Sequence, residues 1–158
     1  MSVAPRGNHA KLIALFAVLA CLSNFQDSYP NSYPNTAYGS FQTFINDSYI
    51  DRGSPGGLTE TQFSWLWSAM LNIWAIGYLT GTFVAPFFTE RFGRKFTLIG
   101  ANTGSIVGTS LAIVAVSCEV PELLFTARLC SSLMSGISCS ALFLFLQVIL
   151  WIIAFLAR

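Results

Sequence analysis

Residues 61 to 89 contain no Asp, Glu, Lys or Arg, and the same holds for residues 96 to 118 and 129 to 157. Runs of this kind leave a chain few ways to fold. A helix rising 1.5 Å per residue needs about 20 mostly apolar residues to cross roughly 30 Å of hydrocarbon, and a buried strand is far shorter. Within a bilayer each backbone amide must be bonded inside the chain, which leaves helices as the form expected here. The composition agrees: 54% of the residues are hydrophobic and 9% charged, against roughly 25% charged in a soluble domain. Mean hydropathy is +0.61. A net charge of +1 supplies no basic field of the kind nucleic acid requires, so nucleic acid is excluded as a partner.

A shorter uncharged run, 12 to 26, lies between Lys11 and Asp27. The fold class expected is therefore an all-α membrane protein with four transmembrane helices near 11–30, 62–88, 96–117 and 122–156, behind a polar tail at 1–10. Arg6 and Lys11 ahead of a short apolar core also fit a secretory signal peptide, but no A-x-A-like cleavage site follows. Asp27, Asn31 and Asn35 stand at four-residue steps and would share one helix face. Pro30 and Pro34 oppose a regular helix there, since each removes an amide donor and crowds the preceding turn. The last uncharged run has 29 residues, about 43 Å as a straight helix, so it must tilt, bend or protrude. Arg128, near the start of that helix, requires an interfacial position or a partner.

Glycines pattern the middle helices. Gly100, Gly104 and Gly108 recur every four residues, and Gly77 and Gly81 repeat the spacing. Each set removes side chains from one helix face, and in lipid such a face admits another helix closely. Self-association or pairing with other helices is the partner expectation that follows, beside membrane lipid.

Loop charges orient the spans. Glu90, Arg91, Arg94 and Lys95 crowd into "FTERFGRK" at 88 to 95, between two uncharged runs. Basic residues are retained on the cytoplasmic side, so this turn and both termini are expected there. Asp47, Asp51, Arg52, Glu60, Glu119 and Glu122 then fall outside, and so does the sequon Asn46-Asp47-Ser48, which marks Asn46 for N-glycosylation. The four cysteines lack the paired spacing of a zinc site and read as small residues buried in lipid, while His9 stands alone in the tail. No metal, cofactor or catalytic constellation is expected, and an enzyme is not indicated.

Residue order carries more than charge. Pro86 to Lys95, "PFFTERFGRK", resembles the signature between the second and third helices of major facilitator transporters of the sugar porter branch. Arg91, Gly93, Arg94 and Lys95 match it; Glu90 stands where Asp or Asn is usual, and Pro86 replaces a glycine. Trp67 and Ser68, Gly77 and Gly81, Asn46 after the first helix, and Glu122 with Arg128 fall in register with the facilitative glucose transporters of animals. Ala127 replaces a glycine before that arginine.

The resemblance covers residues 11 to 147 and implies part of the N-terminal half of a major facilitator fold. In that architecture two six-helix halves rock about a midplane site, and a chain with four helices is not expected to transport alone. After Gln147 the family places a glutamate that pairs with the arginines of the turn, where this chain has Val148. A truncated isoform or an incomplete gene model is the expectation drawn from that departure. The resemblance implies a hexose or related sugar as substrate, no cofactor, and a plasma-membrane location. It puts Asn31 at a sugar-facing position, with Asn35 nearby; an amide, donor and acceptor at once, suits a hydroxylated ligand.

Overall fold

The computed structural model describes residues 9–53 and 56–156. The sequence-predicted cytoplasmic residue Arg6 and the terminal Arg158 lie outside them. Five helices follow in order: α1 His9–Thr36, α2 Tyr38–Asp51, α3 Glu60–Phe92, α4 Arg94–Ser117 and α5 Pro121–Leu156. No strand occurs among the described residues.

Three of these helices, α3, α4 and Pro121–Ile149 within α5, are long and apolar enough to cross a membrane. In α1 the apolar run extends only over Ile13–Leu22. The helix itself is long enough, at 28 residues, but its sequence turns polar from Ser23 onward. The chain is thus an all-helical membrane fragment in which three of the four expected spans meet the requirement on length and apolarity.

Two departures from the sequence expectation concern the segment after α1's apolar run. First, α1 continues through both Pro30 and Pro34. A proline deletes the amide that would bond the carbonyl four residues earlier, so Pro34 leaves the oxygen of Pro30 without a helical donor. Nη1 of Arg128 takes that oxygen at 3.4 Å. Second, the segment between α1 and α3 contains α2, joined to α1 through Ala37, whose amide bonds back to Tyr33 and Pro34 carbonyls at 3.1 Å.

Helix α3 opens on a reciprocal cap. Oγ1 of Thr59 accepts from the Gln62 amide at 3.4 Å, and Oε1 of Gln62 accepts from the Thr59 amide at 3.1 Å, satisfying donors that lack intrahelical partners. At its other end a single residue, Gly93, joins α3 to α4 with φ +85, backbone that side chains with a Cβ seldom adopt.

Helix α5 is the centre of the bundle, with α3 and α4 packed along it and α1 crossing it more lightly. Small residues make this closeness possible. A Cβ on Gly81 would meet the carbonyl of Leu133, and one on Gly136 would meet the carbonyl of Tyr78. On the α4 side Gly108 lies against Ser131, Gly104 lies against the flexible tail of Met134, and Gly100 faces open space. Oγ of Ser138 donates to Oδ1 of Asn102 at 2.9 Å and ties α5 to α4.

Side-chain bonds tie the helices together at both ends of the bundle. Arg52, just past α2, makes a two-bond pair with Glu122 in the first turn of α5, its Nη2 donating to Oε2 at 3.0 Å. Oγ of Ser48 donates to the carbonyl of Glu119 at 2.9 Å. The end of α2 and the connection from α4 to α5 therefore meet at one end. At the opposite end Nη1 of Arg94 donates to the Leu144 carbonyl at 3.2 Å. Residues 121 and 144 are separated by about 35 Å of helical rise, close to one hydrocarbon thickness. Phe16 meets Phe145 edge-on at 6.1 Å, so the first part of α1 lies at the Arg94 end.

Candidate functional site

The four long helices converge on one enclosed polar feature, and it is built around Arg128. The side chain is 3% exposed, in a helix whose neighbours on the same face are serines: Ser131, Ser135 and Ser138 are all buried. Spacing of three, four and three residues keeps all four on one side of α5. A guanidinium at such depth is costly unless partnered.

Its partnering is incomplete. Nη1 donates to the Pro30 carbonyl at 3.4 Å and to Oη of Tyr33 at 3.3 Å, both long for hydrogen bonds. The guanidinium carbon lies 5.7 Å from the centroid of the Tyr33 ring and 5.5 Å from that of Trp74, within range of cation–π attraction. Nε and Nη2 are buried and have no acceptor.

Beside this group is a cavity of about 290 Å³. Helix α1 contributes Phe25, Tyr29, Pro30 and Tyr33; α3 contributes Trp74; α4 contributes Ser105, Thr109 and Ala112; α5 contributes Arg128 and Ser131. The α1 aromatics recur every fourth residue and stack along the helix, with Phe25 and Tyr29 rings 5.7 Å apart and Tyr29 and Tyr33 5.8 Å apart. Among the described residues no Asp or Glu lines the space. The arrangement is an aromatic chamber with a few hydroxyls and one cation in its wall, suited to a small polar ligand with a flat or apolar body.

A larger groove of about 650 Å³ lies at the Gly93 end, between Phe88, Arg91 and Phe92 of α3, Phe96, Thr97, Gly100 and Ala101 of α4, and Met134 and Ile137 of α5. Its walls are mostly apolar, and it lacks the converging polar groups of the Arg128 chamber.

The residues singled out in the sequence fall in several places. Asn31 and Asn35 are both exposed on α1, and neither lines the Arg128 cavity. Glu90, Arg91 and Lys95 are exposed at the α3–α4 turn, while Arg94 is half-buried against α5. Asn46 sits in α2, half-buried, its Oδ1 accepting from the amide of Leu58 at 3.0 Å. Among the described residues no group of three or more His, Cys, Asp or Glu is placed to hold a metal. The sequence reading did not single out the serines of α5, although their steps of three and four, continued from Arg128, are a legible helical stripe.

The comparisons with known proteins bear on the same span of chain. The profile of the family described as Sugar (and other) transporter matches residues 13–147. Solute carrier family 2, facilitated glucose transporter member 7, is 29% identical in Mus musculus and 30% identical in Homo sapiens, each over 124 residues that make up 78% of this chain and 24% of the relative. Member 3 from Homo sapiens is 27% identical over 124 residues, 78% of this chain and 25% of the relative. The chain thus spans about a quarter of the length of the curated relatives it matches. With the matched residues running from α1 to the Leu144 end of α5, and with the R-x-G-R-K turn inside them, the chain belongs to the sugar transporter family, the sugar porter branch of the major facilitator superfamily.

Proposed function

We propose that this chain supplies the first four membrane helices of a facilitative sugar transporter, α1, α3, α4 and α5, with both termini cytoplasmic at the plasma membrane. The observation that carries the reading is the family match over residues 13–147, laid on helices that pack around one central member. Sugar moves down its gradient in this scheme, with no covalent chemistry. Helix α1 crosses as the fourth span by turning its polar second half toward the protein interior, the arrangement in which polar groups at membrane depth are tolerated.

Residues 1–158 do not transport on their own in this reading, because alternating access needs two bundles moving against each other. Asn31 and Asn35 are exposed and do not line the chamber, and in this reading they act as sugar contacts only when further helices close the path around them. A chimera tests the proposal directly: residues 13–147 replace the matching segment of human facilitated glucose transporter member 3. Sodium-independent uptake of labelled hexose is expected from the chimera and none from the chain alone in proteoliposomes. A chimera that reaches the surface but takes up no hexose overturns the transport reading; uptake by the chain alone overturns the need for more helices.

A second reading is favoured by the groove at the Gly93 end. Gly100 forms part of its floor and meets nothing within 4 Å, so one position of the α4 glycine series is left for a neighbour. Here the chain is a non-transporting membrane protein that pairs with helices of itself or a full-length relative. Crosslinking between differently tagged copies, abolished by Gly100→Phe, is the expected result.

A further inference from the structure

We propose that the Arg128 chamber is a binding site for a small monovalent carboxylic acid, gripped by Nε and Nη2 of Arg128. This inference does not rest on the sugar reading.

Charge comes first. Arg128 is 3% exposed, and two of its nitrogens are buried without an acceptor. A buried cation with unsatisfied donors is among the costliest groups a fold can retain. Among the described residues that line the cavity there is no acid to balance it. Cation–π contacts with Tyr33 and Trp74 soften the cost but supply neither a counter-charge nor an acceptor.

Geometry narrows the ligand. Nε and Nη2 form one edge of the guanidinium, and two parallel donors on one edge match the two oxygens of a carboxylate. A neutral hydroxyl accepts one such bond and leaves the charge uncompensated. A dianion such as phosphate brings a second negative charge for which the lining offers no cation. The chamber's volume of about 290 Å³ leaves room for the body of a small acid beside Phe25, Tyr29 and Trp74, and the hydroxyls of Ser105, Thr109 and Ser131 line the remainder.

To grip the acid, the guanidinium turns its unpartnered edge toward the cavity it already lines. Its present bonds from Nη1, at 3.3 and 3.4 Å, are weak ones to give up. Asp27, three residues before Pro30 in the sequence of α1, is an acid of the chain itself that the experiment has to separate from a free one.

The probe is labelled benzoate, titrated onto the purified full chain in phosphatidylcholine nanodiscs. Saturable binding is expected, not competed by the isosteric but neutral benzamide. Affinity should fall roughly tenfold or more in Arg128→Gln, as loss of charge-assisted bonds requires. Arg128→Lys, which keeps the charge and loses the fork, should also weaken it. No saturable binding to the wild-type chain overturns the proposal, and so does equal competition by benzamide, a test that holds even where the Arg128 variants fold poorly. Binding that appears only in Asp27→Asn identifies the acid as the chain's own and overturns a free ligand. Failure of the hexose chimera leaves benzoate binding untouched, so the two readings fail separately.

Discussion

The guanidinium of Arg128 on α5 occupies the carbonyl of Pro30 on α1, 3.4 Å away, at the one place where Pro34 has removed the helix's own donor. A defect in one helix is thus met by a cation from another. Because the match is imperfect, the charge should be a burden to the fold. Desolvation of a guanidinium costs several kcal/mol and each unsatisfied buried donor about 1–3 kcal/mol, whereas two cation–π contacts return roughly 0.5–2 kcal/mol each. Arg128→Met is therefore expected to stabilise the chain in acid-free detergent by about 1 kcal/mol or more. The midpoint of unfolding followed by tryptophan fluorescence checks this; a lower midpoint than wild type would show the present contacts to outweigh the burial.

The glycines divide sharply by what they face. Gly81→Ala pushes a methyl into the Leu133 backbone, which cannot yield without separating α3 from α5, and should destabilise by about 1–3 kcal/mol. Gly100→Ala meets nothing within 4 Å and should be neutral or slightly stabilising, since alanine is the better helix former. Gly104→Ala should lie between, because the Met134 side chain can move aside. Thermal unfolding of the three variants side by side gives the ranking, and equal values for all three would contradict it.

A hydrogen bond between side chains joins α5 to α4, from Ser138 to Asn102 at 2.9 Å. Within membrane bundles such bonds average roughly 0.6 kcal/mol. Ser138→Ala should cost about that much, and Asn102→Leu in the Ser138→Ala background should add little more. A double-mutant cycle in unfolding measurements checks the coupling; additive losses would assign the effect of each residue to something other than their bond.

Asn46 carries two expectations. Its Oδ1 holds the Leu58 amide at 3.0 Å, and glycosylation at Nδ2 leaves that carbonyl intact, so modification and loop structure are compatible. In a eukaryotic host the wild-type chain should lose mass on glycosidase treatment and Asn46→Gln should not. Wild-type chain of unchanged mass would place α2 on the other side of the membrane or leave the sequon unused.

Charge and hydropathy made α3, α4 and α5 legible, because their uncharged runs admit no other form. The turn at Gly93 was legible too, from its residue order. What escaped the sequence reading depends on contacts between distant residues. Helix α1 passes Pro34 with the help of an arginine 98 positions away, and no local rule supplies that partner. For Arg128 the sequence leaves open an interfacial position or a partner, and only the closure of α1, α3 and α4 around it decides between them. Helix α2 lacks a long apolar run and is anchored by Ser48 to the Glu119 carbonyl and, just beyond its end, by Arg52 to Glu122. For the site, the sequence pointed to Asn31 and Asn35, whereas the structure gathers its buried polarity on α5 and its aromatic wall on α1.

The single residue between α3 and α4 also constrains how the chain is made. With only Gly93 between helices of 33 and 24 residues, no slack exists for one to enter the bilayer while the other waits outside. The pair must insert as a hairpin, and in the orientation proposed above the flanking Arg91, Arg94 and Lys95 stay on the side of synthesis as it does so. In that scheme α3 and α4 take their orientation together, in one event.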